Sequence, residues 1–168
     1  MDPVHFSGKE VLEMAVKIEE NGLVFYTEAS KETRSIEIKA LFKMLAEEEG
    51  QHIKVFKRLR DLLDDEESAT EAFDPYLAQA SDYLKAMADT EVFPDPKKEG
   101  KRLATTVYDE NDALDVAIGL EKDSLLFYYE LQRMINQKDK QIVEELINQE
   151  KEHLKKLTGL QQKMFGSN

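Results

Sequence analysis

Apolar residues recur three and four positions apart in four long stretches of this chain, and near the middle of each a glutamate takes the place of an apolar residue. That spacing is the 3.6-residue period of a helix with one face turned to a core. The first stretch carries Leu12, Ala15, Val16, Glu19, Leu23, Tyr26 and Ala29. Ser7-Gly8-Lys9-Glu10 opens it as a capping box, in which the serine side chain accepts from a first-turn amide and the glutamate reaches back. It runs to about Lys31, and a short turn near residues 33–35 leads into a second helix over about Ile36 to Asp64. Leu41, Phe42, Leu45, Glu49, His52, Phe56, Leu59 and Leu63 form the second stripe, which ends in the solvated acidic run Asp64-Asp65-Glu66-Glu67. Helix resumes near Asn111 with Leu114, Ala117, Ile118, Glu121, Leu125, Tyr128 and Leu131. After a break near residues 136–139, Ile142, Val143, Leu146, Glu150, His153, Leu157 and Leu160 define the fourth helix.

Residues 65–110 form a long crossover between these pairs. Asp74-Pro75 supplies an N-cap and a first-turn proline, so a short extra helix is expected over Pro75 to about Asp89. Phe93-Pro94-Asp95-Pro96 is expected to be extended, because each proline disfavours α geometry in the residue before it.

The two halves repeat each other. The segment from Ala15 to Tyr26 aligns with that from Ala117 to Tyr128, placing Glu19 over Glu121 and Tyr26 over Tyr128 at an offset of 102 residues. Glu49 and Glu150 align at an offset of 101, so the hairpin turns differ by one residue. Two repeated helical hairpins, at about 8–64 and 111–165, joined by a crossover, predict an all-α four-helix bundle in a single domain. A solenoid would need three or more repeats. The same alignment separates Glu19 from its neighbour: Glu20 matches Lys122 and reads as a solvated surface residue.

The repeat isolates a candidate chemistry. Glu49-Gly50-Gln51-His52 and Glu150-Lys151-Glu152-His153 are two copies of Glu-x-x-His, and they use two of the three histidines. On a helix, positions i and i+3 lie ~60° apart around the axis, so each copy offers a carboxylate and an imidazole on one face. Both copies sit within apolar stripes. An unpaired buried carboxylate is costly, and a metal ion is a partner that several such groups can share. Glu19, Glu49, His52, Glu121, Glu150 and His153 are therefore the candidate ligands. Their four negative charges balance two divalent ions of the iron or manganese kind, with zinc a chemically compatible alternative. Glu47 and Glu48 read as solvated, and His5, outside every stripe, as a surface residue.

Composition narrows the field of partners. With 168 residues and no cysteine, the chain has no thiolate-held zinc, iron–sulfur cluster or rubredoxin-type iron, so an electron carrier must be another molecule. Asp and Glu number 35 against 23 Lys and Arg, and the net charge of −12 repels phosphate backbones and anionic lipid. Neither nucleic acid nor membrane is an expected partner. The first residues lack a basic segment followed by an apolar one, and no apolar run approaches membrane-spanning length, so a cytoplasmic location is expected.

At these residues the chain resembles the rubrerythrin branch of the ferritin-like superfamily, over roughly residues 10–64 and 111–165. The resemblance implies a ferritin-like di-iron bundle with two iron ions per chain. It implies that Glu49 and Glu150 bridge the ions, that Glu19 and Glu121 are terminal carboxylates, and that His52 and His153 are terminal nitrogen ligands. Tyr26 and Tyr128, each seven residues after a ligand glutamate, fall where such proteins place a tyrosine beside the metals. Two departures stand out: the cysteine-held rubredoxin iron is absent, and Ser124 occupies the position of an extra family glutamate three residues after the third-helix ligand. The expected activity is reduction of hydrogen peroxide, or of dioxygen, with electrons from an external protein such as a rubredoxin, and a homodimer is the expected assembly. Rival readings are ferritin-like oxidation and storage of Fe(II), which demands a large hollow shell, and a non-catalytic bundle stabilised by metal.

Overall fold

The computed structural model describes residues 8–64, 96–135, 137 and 139–166, and among them every regular element is a helix. In chain order these are α1 (Gly8–Glu32), α2 (Ile36–Asp64), α3 (Pro96–Thr106), α4 (Glu110–Met134) and α5 (Lys140–Phe165). The four long helices are those the periodicity predicts, with boundaries within a residue or two. Ser7 of the capping box, His5 and the helix expected over Pro75–Asp89 lie outside the described residues.

α3 corrects the reading of the crossover. Pro96 begins a helix instead of continuing an extended run, because a proline at the first helical position loses no hydrogen bond and arrives with a helical φ. The helix is held by contact with α1. A Cβ on Gly100 would lie 2.6 Å from the Asn21 carbonyl oxygen and 2.8 Å from Val24 Cβ, so only glycine lets the two backbones approach this closely. Ala104 completes the buried face.

Polar anchors set the helix ends. Asp109 caps α4, accepting from the Asp112 amide at 2.9 Å. Next to it, Glu110 Oε1 accepts from the Thr33 hydroxyl and from the backbone amides of Arg34 and Ser35 at 2.6–2.8 Å. These bonds lower the Glu110 pKa, Thr33 foremost. One carboxylate at the start of α4 thus ties down the turn between α1 and α2, fixing one hairpin relative to the other.

The core is two apolar clusters with a polar layer between them. One contains Val11, Leu12 and Val16 of α1, Ile53 and Phe56 of α2, Leu125 and Tyr128 of α4, and Val143 and Ile147 of α5. The other contains Phe25 and Tyr26 of α1, Phe42 and Leu45 of α2, Leu114 and Ile118 of α4, and Leu157 of α5. On every long helix the ligand-pattern glutamate falls between residues of the two clusters. Hydrophobic burial on both sides therefore holds the glutamates at mid-bundle even though their own desolvation opposes it.

Candidate metal centre

All six candidate ligands lie inside the bundle. Glu19, His52, Glu121, Glu150 and His153 are exposed by no more than 2%, and Glu49 by 4%. They form two overlapping groups: Glu19, Glu49, His52 and Glu150 in one, and Glu49, Glu121, Glu150 and His153 in the other, the potential ligand atoms of each lying within 4.8 Å of one another. Glu49 and Glu150 belong to both. The overlap follows from the repeat: the carboxylates of the two Glu-x-x-His faces meet at the pseudo-twofold axis, and each upstream glutamate reaches only the nearer side.

Both imidazoles turn Nδ1 inward. His52 Nδ1 lies 2.8 Å from Glu150 Oε1 and 3.3 Å from oxygens of Glu19 and Glu49. His153 Nδ1 lies 2.9 Å from Glu150 Oε2 and 3.4 Å from Glu121 Oε2. The two rings stack with centroids 5.7 Å apart and planes 16° from parallel. Only part of this proximity is hydrogen bonding: His52 Nδ1 pairs with Glu19 Oε2 at 3.3 Å. Glu19 Oε1, Glu121 Oε2, both oxygens of Glu150 and His153 Nδ1 are buried without a hydrogen-bond partner. Buried carboxylate oxygens converging in excess of the donors that reach them suit a cation, and carboxylate oxygens with imidazole nitrogens are a donor set of iron and manganese. The cluster points to a metal site, with two overlapping groups of residues that could each hold an ion.

Electrostatics without metal agree with that reading. Burial is the largest influence on the four glutamates, because low polarity disfavours the charged form. It raises Glu19, and it carries Glu49 and Glu121 well above the usual carboxylate range. Glu150 is the exception: burial pushes it upward too, but His153 and His52 together hold it below the usual range. The histidines respond in kind. Burial disfavours their charged form, but the surrounding carboxylates outweigh it, raising His52 far above its ordinary value and pushing His153 up to about 10. The metal-free centre therefore retains protons that cation binding must displace.

The two tyrosines differ. Tyr26, fully buried, donates its hydroxyl hydrogen to Glu121 Oε1 on the opposite hairpin, and burial followed by the Glu121 charge raises its pKa well above the phenol value. Tyr128 is equally buried, packed on Phe56 with ring centroids 5.1 Å apart, and its hydroxyl has no hydrogen-bond partner. Ser124 is buried as well, at 9% exposure.

Two residues next to the centre escaped the sequence reading. Glu48, expected to be solvated, brings Oε2 to 2.7 Å from His153 Nε2. Gln149 Oε1 lies 2.9 Å from His52 Nε2. The signal was available: Glu48 and Gln149 each precede the Glu of a Glu-x-x-His pair and are related by the same 101-residue offset. Both remain partly at the surface, Glu48 with 39% of its side chain exposed and Gln149 exposed, so a polar pattern reads correctly as solvated while the reach of the side-chain tips to the imidazoles goes unseen until the facing helix is in place.

The model of the rubrerythrin family matches residues 10–110. No curated protein matches the chain. A crystal structure described as that of a ferritin-like diiron-carboxylate protein from Thermotoga maritima is similar over 94% of this chain and 96% of its own, at 32% identity and a TM-score of 0.67. The doubled carboxylate–histidine cluster, the bundle that buries it and these two likenesses lead to one assignment: the chain belongs to the rubrerythrin family.

Proposed function

We propose that this protein is a non-haem di-iron oxidoreductase that reduces hydrogen peroxide to water, with dioxygen as a second oxidant and an external protein as electron donor. The observation that carries this reading is the pair of ligand groups sharing Glu49 and Glu150, which suits two ions held side by side. Two ferrous ions bound there would supply the two electrons that, with two protons, convert one hydrogen peroxide to two waters.

The chain's own residues set the conditions for that chemistry. Four carboxylates neutralise two divalent charges, so the loaded centre adds no net charge to a dry interior. The flanking apolar clusters exclude bulk water from both ends. Tyr26 holds a proton at its hydroxyl against Glu121 and orients that carboxylate. These 168 residues hold no cysteine for a rubredoxin-type iron, and on this reading reducing equivalents come from an external carrier.

Anaerobic Fe(II) loading followed by rapid mixing with peroxide, then with dioxygen, tests the reading. Repeated turnover with a reduced rubredoxin and faster oxidation by peroxide are expected. Oxidation that stops after one equivalent, or iron accumulating far beyond two ions per chain in a large shell, would count against it.

A further inference from the structure

The two halves of the centre are matched in their carboxylates and imidazoles but not in what stands behind the imidazoles. Each histidine directs Nδ1 at the carboxylates and Nε2 away from them, toward the residue that precedes the shared glutamate on the facing helix. Behind His153 that residue is Glu48, a half-exposed side chain whose Oε2 is itself buried and lies 2.7 Å from Nε2 as an ion pair, not aligned as a hydrogen bond in the metal-free centre, with Lys156 Nζ 4.0 Å from the same oxygen. Behind His52 it is Gln149, whose amide oxygen lies 2.9 Å from Nε2. The repeat relates these two positions, so the chain places a carboxylate and a neutral amide at equivalent points.

The difference has a chemical consequence. An imidazole that coordinates through Nδ1 carries its proton on Nε2, and an anion beside that N–H draws electron density toward the ligating nitrogen. A carboxylate makes the imidazole the stronger donor; an amide fixes the same tautomer without adding charge.

We infer that Glu48 and Gln149 are positioning residues that make the two metal positions unequal, the ion beside His153 being bound more tightly and first. The inference rests on the two-metal reading of the centre and adds to it an order of filling. It concerns metal affinity, so it is read without turnover.

The experiment is an anaerobic Co(II) titration of the full chain, followed by visible absorption and competition with a chelator. Crystals grown with one equivalent of Co(II) locate the first ion by anomalous scattering. The wild-type protein should bind two ions in two resolved steps, with the first ion beside His153. Glu48→Gln, which keeps an acceptor and removes only the charge, should weaken the stronger step about 10-fold, the low end of the range for altering a partner behind a metal-bound histidine, and bring the two steps together. Gln149→Glu should strengthen the weaker step. The double exchange, Glu48→Gln with Gln149→Glu, should restore two steps with the order inverted, a result that mere loss of structure cannot produce. Two ions bound with the first beside His52, or with constants unmoved by Glu48→Gln, would overturn the inference and leave the two-metal reading intact. Fewer than two ions in the wild-type protein would overturn both.

Discussion

Tyr26 on α1 donates its hydroxyl hydrogen to Glu121 on α4, whereas Tyr128, its counterpart in the repeat, has a buried hydroxyl with no hydrogen-bond partner. The near-symmetry of the chain therefore stops at these two phenols. Removing the Tyr26 hydroxyl strands a buried Glu121 oxygen, while removing that of Tyr128 discards a group that burial already penalises. In the metal-free protein at neutral pH, Tyr26→Phe should cost about 1–3 kcal/mol, and Tyr128→Phe should be neutral or slightly stabilising. Urea unfolding of the two variants measures the difference, and equal losses would contradict the asymmetry.

Glu49 and Glu150 belong to both ligand groups, but Glu19 and Glu121 to one each. Glu49→Ala or Glu150→Ala should accordingly release both ions, whereas Glu19→Ala should weaken one ion more than the other. Metal analysis after gel filtration, expected to give two ions per wild-type chain, decides this. Equal, independent losses from all three substitutions would rule out bridging.

Stability of the metal-free protein should fall as pH rises. Glu19, Glu49 and Glu121 have folded-state pKa values above the ordinary 4.5, so the native state keeps protons that the unfolded chain releases, and rising pH favours unfolding. The sign is the same for His153: its stabilisation is fully present below the unfolded value of 6.5 and is lost as pH climbs to about 10. Glu150 acts oppositely, its contribution being lost on acidification. Thermal melts of metal-free protein should thus decline between pH 5.5 and 9, still starting from a folded helical state because the apolar clusters need no ion. Metal-loaded protein should not decline, since rising pH frees its ligands to bind. A metal-free melt that improves with pH would refute the assignment of these protons.

Ser124 stands where the family resemblance puts a glutamate that rivals the second-helix histidine for one ion. With serine there, His52 should remain ~2.0–2.3 Å from its metal in crystals of both reduced and oxidised protein. Ser124→Glu should then allow movement. Release of His52 on oxidation of the wild-type protein would disprove this.

Gly100→Ala places a methyl group 2.6 Å from the Asn21 carbonyl oxygen and 2.8 Å from Val24 Cβ. Backbone cannot yield as a flexible side chain does, so α3 must shift away from α1, at about 1–3 kcal/mol. Gly22→Ala is the control: its Cβ would meet Glu49 atoms at 3.5 Å, ordinary contact distance. Hydrogen exchange should show α3 amides losing protection in Gly100→Ala and keeping it in Gly22→Ala.

Periodicity and repetition carried the four long helices, their pairing into hairpins and the six residues at mid-bundle, because burying a helix face writes the 3.6-residue period directly into residue order. The repeat separated Glu19 from Glu20 without any structure, since only one of them has a partner 102 positions on. α3 was not legible in the same way. Its residues Pro96–Thr106 are rich in lysine and carry a narrow buried face, and its place depends on Gly100 meeting the backbone of α1, a fit between distant segments that no local pattern records. Glu48 and Gln149 were illegible for a related reason: each lies at the edge of its own helix's apolar face and acquires a role only when the opposite hairpin brings an imidazole to it. The tyrosines were singled out by the family resemblance, but which one would find a carboxylate depended on side-chain positions across the bundle, set by packing around Phe42 on one side and Phe56 on the other. Sequence order determined which groups enter the interior. Only the tertiary structure decided which of them meet, because hydrogen bonds and ion pairs act over a few ångströms between residues that the chain itself holds some hundred positions apart.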